Sequence, residues 1–547
     1  MAQGSRLTAP ASAREVCGDG LRRGSPERSA RRRQGSRLTL AAIPILLVLL
    51  HAAPAPAGSL PYAPALARCY QAILDARFDD AEIEIGRACG PAPKEACGLM
   101  RATSVWWRIQ IDPRDTSRDA AFRSQTDAVI AAAEAWAARE PKRADAWFFV
   151  GASYGLRVPF RVLRGERLSA ARDGKQVKDA LERALALDPS LQDAYFGIGL
   201  YRYYADIVPA ALKFFRWMLL LPGGNKVEGL QQMQRARDRG ELLRGEADFQ
   251  LAWVYLWYEQ KADDALTLLD GLRTTYPHNP LFVQSIAEVQ DVYRHDDAAS
   301  LEAWRALLAL ARERRVALPA ASDTRARLGI ALRLDGFAET DAAIEHLQTV
   351  VDARPDAPYG AMALARHRLG AAFDRMGWRD RAVAAYKAAI ASAPADDPDG
   401  VRGKARDAIA RGPDPKAAEA YRLSLEGYRQ LQRKDLAHAE ESLSRSAALN
   451  PADPLTTYRQ ALLLAARGRP ADALAAFERV IALRPMPPAF VVAASAVEAG
   501  RLLEAAGHRA RAVEQYTRAF RVRGADGTTR QAAVQALERL RVPQPSR

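Results

Sequence analysis

One pattern decides what this chain can fold into: small, large and small residues recurring at intervals of about 34 residues. It is plainest at 363–394. Leu369, Gly370 and Phe373 sit in a first helical segment, Met376-Gly377-Trp378 make a turn, and Ala382, Tyr386 and Ala389 sit in a second segment that stops at Pro394. Gly370 lets two helices approach closely. Ala382 and Ala389 are seven apart on one helix face, with Tyr386 between them as the large filler. Pro394 cannot continue a helix and so closes the unit.

The pattern returns at 455–485 (Leu464, Ala473, Phe477, Val480), at 493–524 (Gly500, Ala512, Tyr516, Ala519) and at 420–451 (Gly427, Ala439, Leu443). Further copies occupy 62–93, 144–189, 195–236, 246–277, 280–311 and 322–355. Small-large-small spacing with a terminal Pro resembles the tetratricopeptide repeat, and the resemblance covers nearly everything after residue 60. It implies an all-α, right-handed superhelical solenoid of helix-turn-helix repeats. Residue patterning agrees, because no stretch alternates apolar and polar residues over several strands. A stacked array also removes the size ceiling that a single core would impose on 547 residues.

The first 57 residues read differently. Arg31-Arg32-Arg33 and Arg37 precede an apolar run at 38–50, followed by Ala55-Pro56-Ala57. Basic, apolar and small in that order is the grammar of a bacterial-type secretory signal peptide, with cleavage expected near Ala57. The run is too short to span a bilayer. These residues hold nine Arg against three acids, so they carry six of the net fourteen positive charges. The remaining bias is spread thinly, which argues against a nucleic-acid footprint. The expected location is the periplasm or the cell exterior. Cysteine placement suits export: Cys69, Cys89 and Cys97 lie together. Cys89 can pair with Cys97, Cys69 can pair with Cys97, or all three are free thiols.

The expected organisation is a signal peptide at 1–57, an array at 60–394, a linker at 395–416, and a second array with a cap helix at 417–547. Insertions near 157–176 and 205–226 interrupt the first array; the second contains an apolar stretch at 207–221.

For function, the resemblance implies that first helices line a concave face that binds partner proteins or peptides. The inward positions of the third to fifth units would be Phe148, Phe149, Phe196, Tyr203, Tyr204, Trp257 and Tyr258, an aromatic groove suited to apolar side chains, or else aromatics that merely fill the core. Units from residue 363 onward offer His367, Arg368, Tyr421, Tyr428, Tyr458, Arg459 and Arg501 instead. The stretch 207–221, with Phe214, Phe215 and Trp217, is an alternative contact: a lid, or a helix docking the protein peripherally on a membrane or envelope. No P-loop, GxGxxG, HExxH or CxxC occurs, and the histidines lack ligand spacing. The reading is therefore a scaffold rather than an enzyme, with no cofactor, no metal site and no nucleic-acid partner.

Overall fold

The structure, a computed structural model, describes residues 60, 62–207, 223–484 and 486–543. The expected signal peptide at 1–57 and the contact residues Phe214, Phe215 and Trp217 lie outside these. Among the described residues there are 24 helices and no strand. In chain order they are α1 (Ala63–Leu74), α2 (Phe78–Ala88), α3 (Lys94–Ile111), α4 (Asp119–Arg139), α5 (Ala144–Leu163), α6 (Arg167–Leu187), α7 (Ala194–Ile207) and α8 (Lys226–Arg239). Next come α9 (Arg244–Trp257), α10 (Ala262–Thr275), α11 (Pro280–Val292), α12 (Asp297–Arg312), α13 (Pro319–Gly336), α14 (Thr340–Ala353), α15 (Ala361–Arg375) and α16 (Arg379–Ser392). The last eight are α17 (Val401–Arg411), α18 (Pro415–Gln432), α19 (Leu436–Leu449), α20 (Pro454–Ala466), α21 (Pro470–Ala482), α22 (Ala489–Ala505), α23 (Arg509–Arg521) and α24 (Gly527–Arg539).

The repeat core is what the small-large-small pattern requires. Tyr386 lies against Gly370, where an added Cβ would meet the ring at 2.7 Å; Tyr516 and Gly500 repeat that geometry at the same distance. Each phenol then reaches back to its first helix, Tyr386 Oη donating to Asp374 at 3.1 Å and Tyr516 Oη to Glu504 at 2.8 Å. The turns are fixed by glycine in the left-handed region: Gly377 at φ +75° and Gly507 at φ +78°. After each, the next amide (Trp378, His508) donates to the carbonyl five residues back, at 2.8 Å in both cases.

The described residues form two compact units. The smaller comprises 60–67 and 130–247, and the larger 68–129 and 248–543. In the smaller unit Phe149 packs against Trp136 and Tyr62 with ring centroids 6.1 and 6.2 Å apart. The buried Asp193 carboxylate accepts from the amides of Glu241, Leu242 and Leu243, which holds the entry into α9.

The expected insertion at 157–176 is instead an extension of both helices of a pair: α5 runs on to Leu163 and α6 starts at Arg167. Pro159 reads as a break in sequence, yet the helix continues through it. The extension is held by the buried Asp173, which takes Arg157 at 2.8 Å and Arg161 at 2.8 Å, and by the buried ring of Phe160. Of the second expected insertion, 205–207 are the last residues of α7, 226 is the first of α8, and 208–222 lie outside the described residues.

In the larger unit, α3 does more than stack on its sequence neighbours. Trp107, fully buried, packs against Phe249 of α9 and Phe282 of α11 at 5.2 and 6.0 Å. Just past the helix, Asp112 accepts from the Tyr359 amide at 2.8 Å and pairs with Arg325 at 3.4 Å, and Arg114 pairs with Asp399 at 2.5 Å. One turn earlier in the fold, Asp75 accepts from the His278 amide at 2.9 Å, and Asn279 donates to Leu74 O at 2.7 Å. Thus α3 and the residues after it run across the starts of successive first helices more than 130 positions away in sequence. At the other end, Arg530 of α24 grips Asp296 through two bonds of 2.8 and 3.1 Å, and Phe337 meets Phe490 at 5.6 Å.

The segment expected as a linker, 395–416, contains α17, whose buried Val401 and Ala405 pack on the preceding repeat. Residues on both sides of it belong to the same compact unit. Cys89 and Cys97 form a disulfide between α2 and α3, and Cys69 is a buried thiol on α1. Burial above all pushes the Cys69 thiol up to about 11, which leaves it protonated and unreactive.

Trp107→Ala should remove about 3–5 kcal/mol of stability by opening a cavity among three helices from distant parts of the chain. Urea unfolding followed by circular dichroism measures this. A loss below about 1 kcal/mol would mean that α3 is not packed as described.

Candidate functional site

The strongest convergence of charged groups in the larger unit is built by the first helices of three successive repeats. On α11, Gln284, Glu288 and Asp291 follow each other at i, i+4 and i+7, a polar stripe along one face of the helix. On α13, Arg325 donates to Gln284 Oε1 at 3.1 Å, and Gln284 Nε2 in turn donates to Glu288 Oε1 at 2.9 Å. On α15, Arg368 donates to Leu328 O of α13 at 2.7 Å. Arg333, buried near the end of α13, is shared between Asp291 and Asp297. The connection after α3 contributes Asp112 and Arg114, and the approach to α17 contributes Asp399.

These groups sit deep among protein atoms while keeping some solvent-accessible surface, so their charges are felt strongly. Burial pushes the Glu288 carboxyl up to about 7, against the pull of its bond from Gln284 and of Arg325 and Arg114. Burial likewise pulls the Arg368 guanidinium down to about 10, opposed first by Asp399. His367, next to it, is lowered foremost by burial and further by Lys404 and Arg368, so it is neutral at pH 7. The result is a cluster in which one carboxyl, raised by burial, lies among guanidiniums held by other carboxylates. It has the chemistry to hydrogen-bond a polar, charged segment, with Glu288 able to donate or accept. Among the described residues no group of three His, Cys, Asp or Glu side chains could hold a metal ion.

A second cluster lies on α18, α20 and α22. Buried Arg459 donates to Ser424 Oγ at 2.9 Å and stacks over Tyr428 at 5.1 Å. Tyr421 Oη bonds Thr340 Oγ1 at 2.7 Å, and Arg501 pairs with Glu498 at 2.5 Å. Burial raises Tyr458, and Tyr428 and Glu498 add to it. So Tyr421, Tyr428, Tyr458 and Arg459, expected to face inward, do come together, and His367 and Arg368 join the first cluster.

The aromatic groove does not form as expected. Phe148, Phe196 and Tyr203 keep only 3%, 8% and 0% of their surface exposed, and Phe149 is buried too, so none can receive a partner's side chain. A first helix in a stack is flanked on both sides, and its large side chains fill the layers rather than line a groove. Tyr204 is half-buried against Tyr203 at 5.7 Å. Trp257 and Tyr258, which belong to the other unit, are half-buried as well, and Trp257 stacks on Trp253 at 4.9 Å. The charged cluster lies apart from the aromatic positions that the repeat pattern marks as inward. In the sequence the stripe Gln284, Glu288, Asp291 at helical spacing is the signal that marks it.

Sequence models of the tetratricopeptide repeat match residues 363–396 and residues 246–279 and 457–485. No curated protein matches the chain. Solved structures that resemble it include a Rap protein complexed with Competence and Sporulation Factor, at 14% identity and TM-score 0.33, covering 87% of this chain and 99% of that one. A tetratricopeptide repeat protein from Parabacteroides merdae covers 54% of this chain and 98% of that one, at 14% identity and TM-score 0.25. The P58(IPK) tetratricopeptide domain covers 81% and 98%, at 12% identity and TM-score 0.22. The chain thus carries tetratricopeptide repeats in an all-helical repeat array, a type of scaffold typical of protein–protein interaction.

The raised Glu288 pKa fixes a pH dependence. Its folded value lies above the unfolded one, so the protonated carboxyl favours folding; this contribution is complete below the ordinary carboxylate range and is lost as pH climbs to about 7. Glu288→Gln should therefore be more stable than wild type by about 2 kcal/mol near pH 8, with the difference vanishing near pH 4. Thermal unfolding at the two pH values measures it; a pH-independent difference would contradict the assignment.

Proposed function

We propose that this protein is an exported scaffold that holds an extended segment of a partner protein on the first-helix face of its larger unit. The observation that carries this reading is the charged cluster, where Glu288, Arg325 and Arg368 come from three consecutive repeats and still reach solvent. Side chains spaced repeat by repeat suit a ligand that runs along the array. Their chemistry favours a partner segment carrying both acidic and basic or amide side chains over an apolar one. Export rests on the leader at 1–57 and is consistent with the Cys89–Cys97 disulfide.

Two measurements test this. Arg325→Gln combined with Arg368→Gln should cut recovery of co-purifying partner protein by about tenfold or more, the loss of two charge-assisted hydrogen bonds. Equal recovery with the folded double variant would refute the cluster as the binding face. Expression of the full chain should yield a mature protein beginning near residue 58 in the exported fraction, read by N-terminal sequencing; an intact N-terminus on protein retained inside the cell would refute export.

A further inference from the structure

A guanidinium taken out of water needs a counter-charge, and one in this array has none. Arg459 of α20 keeps only 3% of its surface exposed, yet among the described residues no carboxylate comes within ion-pair distance of it. Its Nη1 donates to Ser424 Oγ of α18 at 2.9 Å, and the Tyr428 ring covers one guanidinium face at 5.1 Å. Nε and Nη2, the side-on edge of the fork, have no hydrogen-bond partner among the described residues. The two acids felt in this cluster are occupied. Asp453, felt by Arg459, caps α20 and accepts from the Thr456 amide at 2.9 Å and from Thr456 Oγ1 at 2.6 Å. Glu498, felt by Tyr458, pairs with Arg501 at 2.5 Å. The phenols nearby add donors without acceptors. Tyr421 is spent on Thr340 at 2.7 Å, whereas the hydroxyls of Tyr428 and Tyr458 have no partner among the described residues. Both tyrosines are half-buried, so the cluster borders solvent.

We propose that Arg459, with Tyr428 and Tyr458, is a receptor for a carboxylate group of a ligand. A carboxylate laid against the Nε–Nη2 edge accepts two parallel hydrogen bonds in the guanidinium plane and supplies the charge that Arg459 lacks. The two phenols then donate to its remaining lone pairs. One negative charge suffices here; a phosphate dianion would bring a second one toward Glu498, which already shares the cluster with Tyr458. The site is built by α18, α20 and α22, apart from the cluster on α11, α13 and α15, and it stands even if that cluster holds no partner.

Thermal unfolding of the mature full-length protein with acetate as the probe tests it, with acetamide as the neutral isostere and chloride as the ionic-strength control. Acetate should raise the wild-type Tm saturably, and the other two should not. Arg459→Met should lose that response yet be as stable as wild type without acetate, because an apolar side chain replaces a charge that has no counter-charge. Tyr428→Phe with Tyr458→Phe should raise the acetate midpoint about tenfold, two hydrogen bonds to the anion being lost. Arg325→Gln with Arg368→Gln should respond as wild type does, which separates this site from the other cluster. N-acetylglutamic acid amide and N-acetylglycine then distinguish an acidic side chain from a chain terminus as the source of the carboxylate. A wild type indifferent to acetate, or Arg459→Met responding as wild type, would overturn the proposal. So would phosphate acting at lower concentration than every carboxylate probe. Circular dichroism checks folding; if Arg459→Met does not fold, the tyrosine pair decides, and an unshifted midpoint overturns the proposal.

Discussion

Trp107 wedged between Phe249 and Phe282 is the contact on which the larger unit depends. In a simple helical array each repeat touches only its neighbours, and stability accumulates along one dimension. Here α3 lies across the starts of several later first helices, with Asp112 and Arg114 continuing the line to Arg325, Tyr359 and Asp399. The apolar wedge supplies most of the energy, since partly exposed ion pairs are individually weak. The polar contacts set the register, because Asp112 takes one particular amide and one particular guanidinium.

That crossing also shapes the electrostatics. By crossing the starts of α11, α13 and α15, the residues after α3 bring Arg114 within electrostatic reach of Glu288 and Arg368. Burial is accordingly the largest influence on both groups, and each keeps a counter-charge that limits the shift. Carboxylates on α11 face arginines on α13 and α15, with Asp112, Arg114 and Asp399 beside them, so the cluster has no strong sign of its own. Such a surface selects by pattern, with mispaired charges penalising the wrong partner more than matched ones reward the right one.

Much of this was legible in the sequence. Gly370 with Tyr386, Gly500 with Tyr516, and the left-handed glycines at the turns announce helix pairs because their chemistry is local. The Cys89–Cys97 pairing was one of the alternatives open from proximity. Contacts between distant repeats leave no such trace: nothing in the periodicity of α3 tells Trp107 that it will meet Phe249 and Phe282. Pro159 shows the opposite balance, since a residue that locally breaks helices is carried inside α5, where Asp173 and Phe160 are buried. The aromatics of α5 and α7 misled because an inward position in a tightly stacked array is more often interior than groove.

Hydrogen exchange at the Tyr359 amide tests the long-range closure most directly, because its bond partner, the Asp112 carboxylate, is 247 residues away. The crossing predicts that this amide is protected in the wild type and exchanges much faster in Asp112→Ala, while amides inside α15 change little. If the Tyr359 amide is unprotected in the wild type, or is equally protected without the Asp112 carboxylate, α3 does not close over the array and Arg114 is not brought to the charged cluster.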